Sequence, residues 1–567
     1  MKKGRLTLMM LTALLAIPAC GGSGGGEGPQ SQIVISDTSL EMIVGEEHTL
    51  TATAPEGETL RWSSSNTDVV TVDGGKLTAI SVGEAVITVK IMGTNDKATC
   101  SVKVSPLSED SFIKTPTEIT VTTTFNDTFG QIFKDTIEEM KKKEPLLTIN
   151  YVKFGGKYDA LREEVINGIP AGNYPDVVVA YPDGVADFIE AGVQLDMEPY
   201  MDDPSYGWTE TEKADIFEQY LEEGQNYSVP GTLSLPIAKS TEGMYYDGEK
   251  LIGITLDGIN DGNPLTEEYF NNLTWEELFN ELCPALLDYR ETLPADRKAA
   301  FLDTETFSDW ALVGYDSDDN LFITLAEQYG YGYTSFDPVT GTGLIDFNNP
   351  NMKSLMKFLR TAYEKKYLTT QGTLGTNTNK RSNADAMLFC IGSTGGVSYQ
   401  FDSKNAKSMK IAKLPHPATS TGKFKMISQG PSLAFLDHGN ENRALGAWLF
   451  YKELSSVETN AAWSTTTGYS PIRESVLYSD EYLRYMDEEL YNEKTLDHLK
   501  ALNAQYINET ANDLFVSPVF KGSSEARKQA GGLVTDCLMK ALESGQTLDE
   551  MIDSLFETAY NAVILKM

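Results

Sequence analysis

Tyr469 follows Gly468 at the end of the run Trp463-Ser464-Thr465-Thr466-Thr467. A ring with a polar tip beside threonine hydroxyls has the chemistry to stack on a sugar and hydrogen-bond its edge. Gly468 permits a turn that other residues resist, and Pro471 stops a helix from resuming at once. The same residues also suit an ordinary helix C-terminus with a core Trp and a surface Tyr. Asp183, after Tyr181-Pro182, can accept a bond from a sugar hydroxyl or stand as a solvated loop charge. Trp310 and Trp463 can stack on sugars, and a core role suits them equally.

Other chemistries find little support. Cys20, Cys100, Cys283, Cys390 and Cys537 form no CxxC pair, and His48, His416, His438 and His498 stand singly, so neither a zinc site nor a redox motif is expected. Apart from Cys20, the cysteines read as buried thiols. Asp316-Ser317-Asp318-Asp319-Asn320 resembles the start of a calcium loop, with Glu327 in the twelfth position. Leu321 stands where that loop needs glycine, so a solvated stretch leading into a helix is preferred, and no metal or other cofactor is expected. No GxxxxGK[ST] loop occurs, so ATP hydrolysis would belong to another chain. Glycoside hydrolysis needs two carboxylates at a set separation across a bond, and no motif identifies such a pair.

The elements that must position these residues fall into distinct regions. With 567 residues the chain exceeds one core, and two to four domains are expected. Its 41% hydrophobic and 23% charged content is that of a globular protein. There are 82 acidic against 46 basic residues, a net charge of -36, which repels phosphate backbones and makes nucleic acid a poor partner.

From Glu118 onward, strand and helix patterns alternate, as in an α/β domain. Ile119-Thr120-Val121-Thr122 is a strand. Phe129, Ile132, Phe133, Ile137 and Met140 mark an amphipathic helix ending in Lys141-Lys142-Lys143, where the helix dipole favours positive charge. Leu147–Val152 is a second strand, Tyr158, Leu161 and Val165 mark another helix, and Pro175–Ala180 is a third strand with the unbroken apolar run of a buried parallel sheet. Ligands sit off the carboxyl ends of such strands, which places Thr122–Asn126, Tyr158 and Tyr181–Asp183 near any site. Thr274 caps a helix, with Glu277 in its third position. Ala444, Leu445, Trp448, Leu449 and Tyr451–Leu454 mark the helical pattern before the Tyr469 turn. Leu548, Met551, Ile552, Leu555 and Ala559 mark a closing helix.

The N-terminus reads differently. Lys2, Lys3 and Arg5 precede an apolar run, Leu6–Ile17, too short to span a membrane, then Pro18-Ala19-Cys20. Residues 1–19 read as a signal peptide. Ile17-Pro18-Ala19-Cys20 resembles the bacterial lipoprotein box, which implies cleavage before Cys20 and lipid on that residue. Several acyl chains would hold the protein to the membrane. Residues 20–31 are a Gly-rich tether spanning about 18 Å root-mean-square.

Residues 32–106 read as short strands separated by turns, a small all-β sandwich. Trp62-Ser63-Ser64-Ser65-Asn66, Val69–Val72, Gly75–Ala79 and Gly83–Ile87 resemble the bacterial Ig-like group 2 family. That resemblance implies a spacer or an adhesion unit, and spacer is preferred.

In the large region, Tyr227-Ser228-Val229-Pro230, Lys239–Asp247, Thr274–Leu278, Asp385–Phe389 with Gly392–Gly396, Gln429–Ser432 and Gly468–Pro471 occur in one order. That order resembles extracellular solute-binding proteins of family 1, the carbohydrate-type components of ABC importers, over 118–567. The nearest likeness is to the glycerol-3-phosphate-binding branch. The resemblance implies ligand contacts at Tyr158, Asp183, Ser240, Thr241, Tyr246, Ser393, Thr394, Gly430 and Tyr469. Arg527 is the best counterpart of that branch's phosphate-pairing arginine.

It further implies an α/β two-lobe periplasmic-binding-protein-like fold. Its N-lobe would take about 118–236 and 429–466, its C-lobe about 237–428 and 467–567. The implied function is capture of a carbohydrate or polyol phosphate in the interlobe cleft, without catalysis, by a monomer that delivers it to ABC permease subunits. The location would be the cell envelope, lipid-anchored on the outer face of the cytoplasmic membrane or facing the periplasm. A secreted carbohydrate-active enzyme and a surface adhesin are the rival readings.

Overall fold

The computed structural model describes residues 33–337, 339–400, 408–418, 424–487 and 496–567. The leader, Cys20, the tether and the side chain of His498 lie outside them. The chain divides into two compact units, Met1–Ser108 and Glu109–Met567.

The first unit is all β. Ser39–Ile43, Lys97–Ser105, Gly83–Ile91 and Leu60–Ser64 form one sheet in that order, and Glu47–Thr49, Lys76–Ala79 and Val70–Asp73 form another. Along Ala85–Ile91 every second residue is buried, the period-two signature of a sheet with one face on a core. Both sheets contribute to that core, among them Met42, Val70, Leu77, Ile87, Cys100 and Val102. Trp62 packs against it. Gly75 has φ +100°, and a Cβ there would lie 2.5 Å from the Leu50 carbonyl, so glycine lets this turn close.

The second unit holds two five-stranded sheets. Its strands are β1 (Thr117–Thr123), β2 (Leu147–Lys153), β3 (Val177–Ala180), β4 (Ser234–Pro236), β5 (Glu242–Asp247), β6 (Val313–Tyr315), β7 (Leu368–Thr370), β8 (Phe389–Ser393), β9 (Met409–Ala412) and β10 (Ser432–Phe435). The first sheet runs β2-β1-β3-β10-β4 and the second β7-β6-β8-β5-β9. In each, three strands are parallel and the other two join antiparallel. The helices that matter here are α1 (Asp127–Lys143), α2 (Tyr158–Gly168), α3 (Pro182–Glu190), α4 (Asp318–Tyr329), α5 (Val457–Thr467), α6 (Ser523–Met539) and α7 (Leu548–Ile564).

Local chemistry accounts for their ends. Asn126 caps α1 by accepting from Phe129 N–H, and Phe133, Ile137 and Met140 form its buried face. Thr547 and Glu550 form a capping box on α7, which buries Met551, Ile552, Phe556, Ala559 and Val563. Thr274 caps through its side chain as expected, but Glu277 accepts from Tyr269 Oη at 2.8 Å. The helical pattern before Tyr469 is two helices: Glu441–Leu454 and then α5, which ends at Gly468 with φ +83°. Among the described residues, no helix is long and apolar enough to cross a membrane.

Two segments, 236–242 and 427–432, run between strands of the two sheets, and 467–472 lies beside them. They are stitched side by side: Ser240 and Gln429 exchange both backbone bonds at 3.0 and 2.8 Å, and Ser470 N–H donates to Lys239 C=O at 2.7 Å. Gly430 makes this approach possible. It has φ +93°, and a Cβ there would lie 1.7 Å from the Ala238 carbonyl oxygen. Beneath the crossing, Lys239 Nζ pairs with Glu223, and Ser428 Oγ donates to the same carboxylate at 2.9 Å. Lys239 is wholly buried.

Candidate functional site

A cleft of about 1190 Å³ opens between the two sheets of the second unit. The carboxyl ends of strands from both sheets border it, where the handedness of α/β folds leaves a crevice. On one side, Tyr158 begins α2 and Tyr181 precedes α3; their rings meet edge to face at 5.0 Å. Asp183 sits in the first turn of α3, where the helix N-terminus favours a carboxylate. On the other side, Asp316–Asn320 lead from β6 into α4. Ser393 ends β8, Tyr399 and Gln400 follow it, and Arg527 reaches in from α6. The floor carries Glu242 and Gln429 from the crossing region.

The wall chemistry is hydroxyl, amide and carboxylate. Asp318 accepts from Thr370 Oγ1 at 2.6 Å, Thr535 Oγ1 at 2.9 Å and Gly372 N–H at 2.8 Å. Asp316 accepts from Thr378 Oγ1 at 2.8 Å. Glu242 accepts from Tyr315 Oη and, at 3.1 Å, from Asn320 Nδ2. Burial pushes the Glu242 carboxyl up to about 7, although those hydrogen bonds pull it down. Asp316 and Asp318 are likewise raised by burial.

Arg527 is a cation of the cleft wall held by two neighbours. Its Nε lies 2.6 Å from Asp319 Oδ2, and its Nη2 bonds to Asn320 Oδ1. Burial works against its charge, but Asp319 and Asp183 outweigh that and hold the guanidinium more firmly protonated. Burial also presses Asp319 upward; Arg527 overcomes it and leaves that carboxyl below its ordinary range. Asp183 goes the other way: burial raises it, and Arg527 only partly offsets the rise.

The residues singled out from the sequence separate into three groups. Tyr158, Asp183, Ser393 and Arg527 line the cleft. Ser240, Thr241, Thr394, Gly430 and Tyr469 lie behind it. Ser240 Oγ is 3.3 Å from Ser393 Oγ, while Thr241 N–H donates to Thr394 Oγ1 at 2.9 Å and both threonines are wholly buried. Tyr469 stacks on Trp463 with centroids 6.2 Å apart and meets Phe129 edge-on; half-buried, it stands close enough to the wall tyrosines Tyr158, Tyr181 and Tyr399 to feel their charge. Gly395 packs on that ring, where a Cβ would lie 2.5 Å from Cε1.

Tyr246 is a correction. Its ring is 1% exposed and packs on Phe270 at 4.6 Å, inside the core rather than toward the cleft. The central position of β5 explains this, since a strand covered on both faces buries consecutive residues.

The acidic stretch 316–320 forms no calcium loop. Residues 318–329 are helical, and among the described residues no group of His, Cys, Asp and Glu is arranged to hold a metal ion. The four described cysteines are free and buried. Sequence reasoning missed Glu242, Gln429, Tyr399 and the 316–320 wall as cleft-forming residues. A usable signal for the last was its place directly after strand β6.

Residues 135–487 match the family model of bacterial extracellular solute-binding proteins. Three solved structures share the fold. The GacH receptor of Streptomyces glaucescens, solved unliganded and with acarbose, superposes with a TM-score of 0.55 at 16% identity, covering 80% of this chain and 99% of its own. UgpB from Mycobacterium tuberculosis in complex with glycerophosphocholine gives 0.56 at 16% identity, covering 79% and 98%. Maltose-bound T. maritima MalE3 gives 0.54 at 13% identity, covering 78% and 99%. No curated protein sequence matches the chain. The family and these structural neighbours are binding proteins, not enzymes. With its two-lobe periplasmic-binding-protein-like fold and a family match over most of its length, the chain belongs to the bacterial extracellular solute-binding protein family.

Proposed function

We propose that this protein is the lipid-anchored substrate-binding component of an ABC importer, capturing a carbohydrate between two lobes that close on it. The observation that carries this reading is the cleft itself: a polar chamber of about 1190 Å³ bordered by strand ends of two sheets that the paired segments 236–242 and 427–432 join. Closure around a ligand held from both sides is how such a molecule favours one state. The first lobe takes about 118–236 and 429–466, the second about 237–428 and 467–567. Cys20 carries the lipid, and 32–106 is an Ig-like group 2 spacer between the anchor and the binding unit. The protein works as a monomer at the cell envelope and hands its solute to permease subunits.

Carbohydrate is favoured over a polyol phosphate. Bidentate pairing with a phosphate calls for a free forked cation, and Arg527 already engages Asp319 through Nε and Asn320 through Nη2. Hydroxyl-rich rings suit a wall of carboxylate and amide groups with Tyr158, Tyr181 and Tyr399 available for stacking. The sugar and glycerophosphocholine complexes of the structural neighbours agree with a polar, polyhydroxylated solute.

A thermal-shift screen over mono- and oligosaccharides and glycerol phosphates tests the proposal, because a ligand that binds only the folded state raises the melting temperature. A rise with a carbohydrate, and the sugar recovered intact, is expected. A rise confined to glycerol phosphates overturns the choice of carbohydrate, and hydrolysis of the sugar overturns the binding role.

A further inference from the structure

The charge balance of the cleft goes beyond a preference for hydroxyl groups. Ten acidic against six basic residues line it. The basic ones are largely committed: Arg162 pairs with Asp187 at 3.0 Å, Lys521 with Glu190 at 2.6 Å and Arg527 with Asp319 at 2.6 Å. Lys528 lies 3.9 Å from Glu525, and Lys157 and Lys566 are exposed. Near the centre, one guanidinium serves two carboxylates. Asp319 takes the contact, while Asp183 feels Arg527 only through its field and is pushed toward protonation by burial.

Lobe closure would dry this region further. A neutral ligand leaves the excess negative charge less solvated than before; an anion adds to it; a cation relieves it. We infer that the cleft selects a sugar bearing a basic nitrogen, an amino sugar or aminated oligosaccharide, whose ammonium group pairs with Asp183. The inference rests on the carbohydrate-binding reading above and narrows it. Asp183 is the specificity-determining residue because the other central carboxylates are already held: Asp318 by Thr370, Thr535 and Gly372, Asp316 by Thr378, Glu242 by Tyr315 and Asn320.

The test is isothermal titration calorimetry on the full chain with three probes: the glucosamine trisaccharide, its fully N-acetylated form and glucose 6-phosphate. The wild type should bind the amine form at least about ten-fold more tightly than the N-acetylated form, and glucose 6-phosphate least. Asp183→Asn should erase that preference while keeping the melting temperature near wild type. Raising the salt concentration should narrow the wild-type preference. Equal binding of the amine and N-acetylated forms overturns the inference and leaves the carbohydrate reading standing. A preference that survives Asp183→Asn overturns the role of Asp183, and tightest binding of glucose 6-phosphate overturns the charge argument. Binding of none of the three overturns the inference, and the screen above then decides whether the carbohydrate reading falls with it.

Discussion

Arg527 holds its Nε 2.6 Å from Asp319 Oδ2 although the two residues are separated by two hundred positions in sequence and enter the cleft from different helices. On the reading proposed above, the pair withholds the guanidinium from anions in the cleft. Asp319→Asn removes one carboxylate and frees the guanidinium toward the cleft. Inorganic phosphate at low salt should then raise the melting temperature of the variant more than that of the wild type. Both side chains are about a quarter exposed, at 26% and 29%, so the loss of intrinsic stability should stay near about 1 kcal/mol. Equal phosphate responses in the two proteins would contradict the assignment.

The Lys239–Glu223 pair beneath the crossing behaves differently because it is dry. Lys239 and Glu223 are 0% and 4% exposed, so removing one partner strands the other. Lys239→Met should cost roughly 3–5 kcal/mol in chemical denaturation, and the double variant Lys239→Met/Glu223→Met should recover much of it. A single variant as stable as the parent would show that the pair contributes nothing to the crossing.

Glu242 sets a pH dependence. Its carboxyl is pushed up by burial to about 7 from an ordinary value of 4.5. The folded state therefore holds its proton more tightly than the unfolded chain. The stabilisation is complete below about pH 4.5 and is lost as pH rises through about 7. Glu242→Gln should flatten this part of the stability profile, a difference of order 3 kcal/mol between the two ends of the window. A wild-type profile rising with pH by the same amount relative to the Gln variant would contradict the sign.

Gly430 has no tolerated replacement. Alanine there would hold φ near +93° with its Cβ pressed on the Ala238 carbonyl. Gly430→Ala should lower stability by about 2–4 kcal/mol, read from the denaturation midpoint. An unchanged midpoint would mean that the crossing segments can separate freely.

Much of the fold is legible in local pattern, because period and capping are local. The apolar faces of α1 and α7, the all-buried run Val177–Ala180 and the glycine turn after α5 follow from residues within a few positions of one another. The site is less legible because its partners are distant. Asp318 reads as a solvated charge until Thr370 and Thr535 close on it from two other segments. Arg527 reads as a phosphate ligand until Asp319 takes it. Tyr246 reads as a ligand contact, yet β5 lies between β8 and β9 under cover on both faces, and its ring is buried.

Lobe closure itself is open to direct measurement. Spin labels at Glu164→Cys on α2 and Lys365→Cys, after the Pro350–Glu364 helix, sit on exposed surfaces of opposite lobes, while the four described native cysteines are buried. Pulsed dipolar distances on the full chain, with and without the saccharide that gives the largest thermal shift, should shift to a shorter, narrower distribution at saturation. A saturating saccharide that leaves the interlobe distance distribution unchanged would contradict capture by closure.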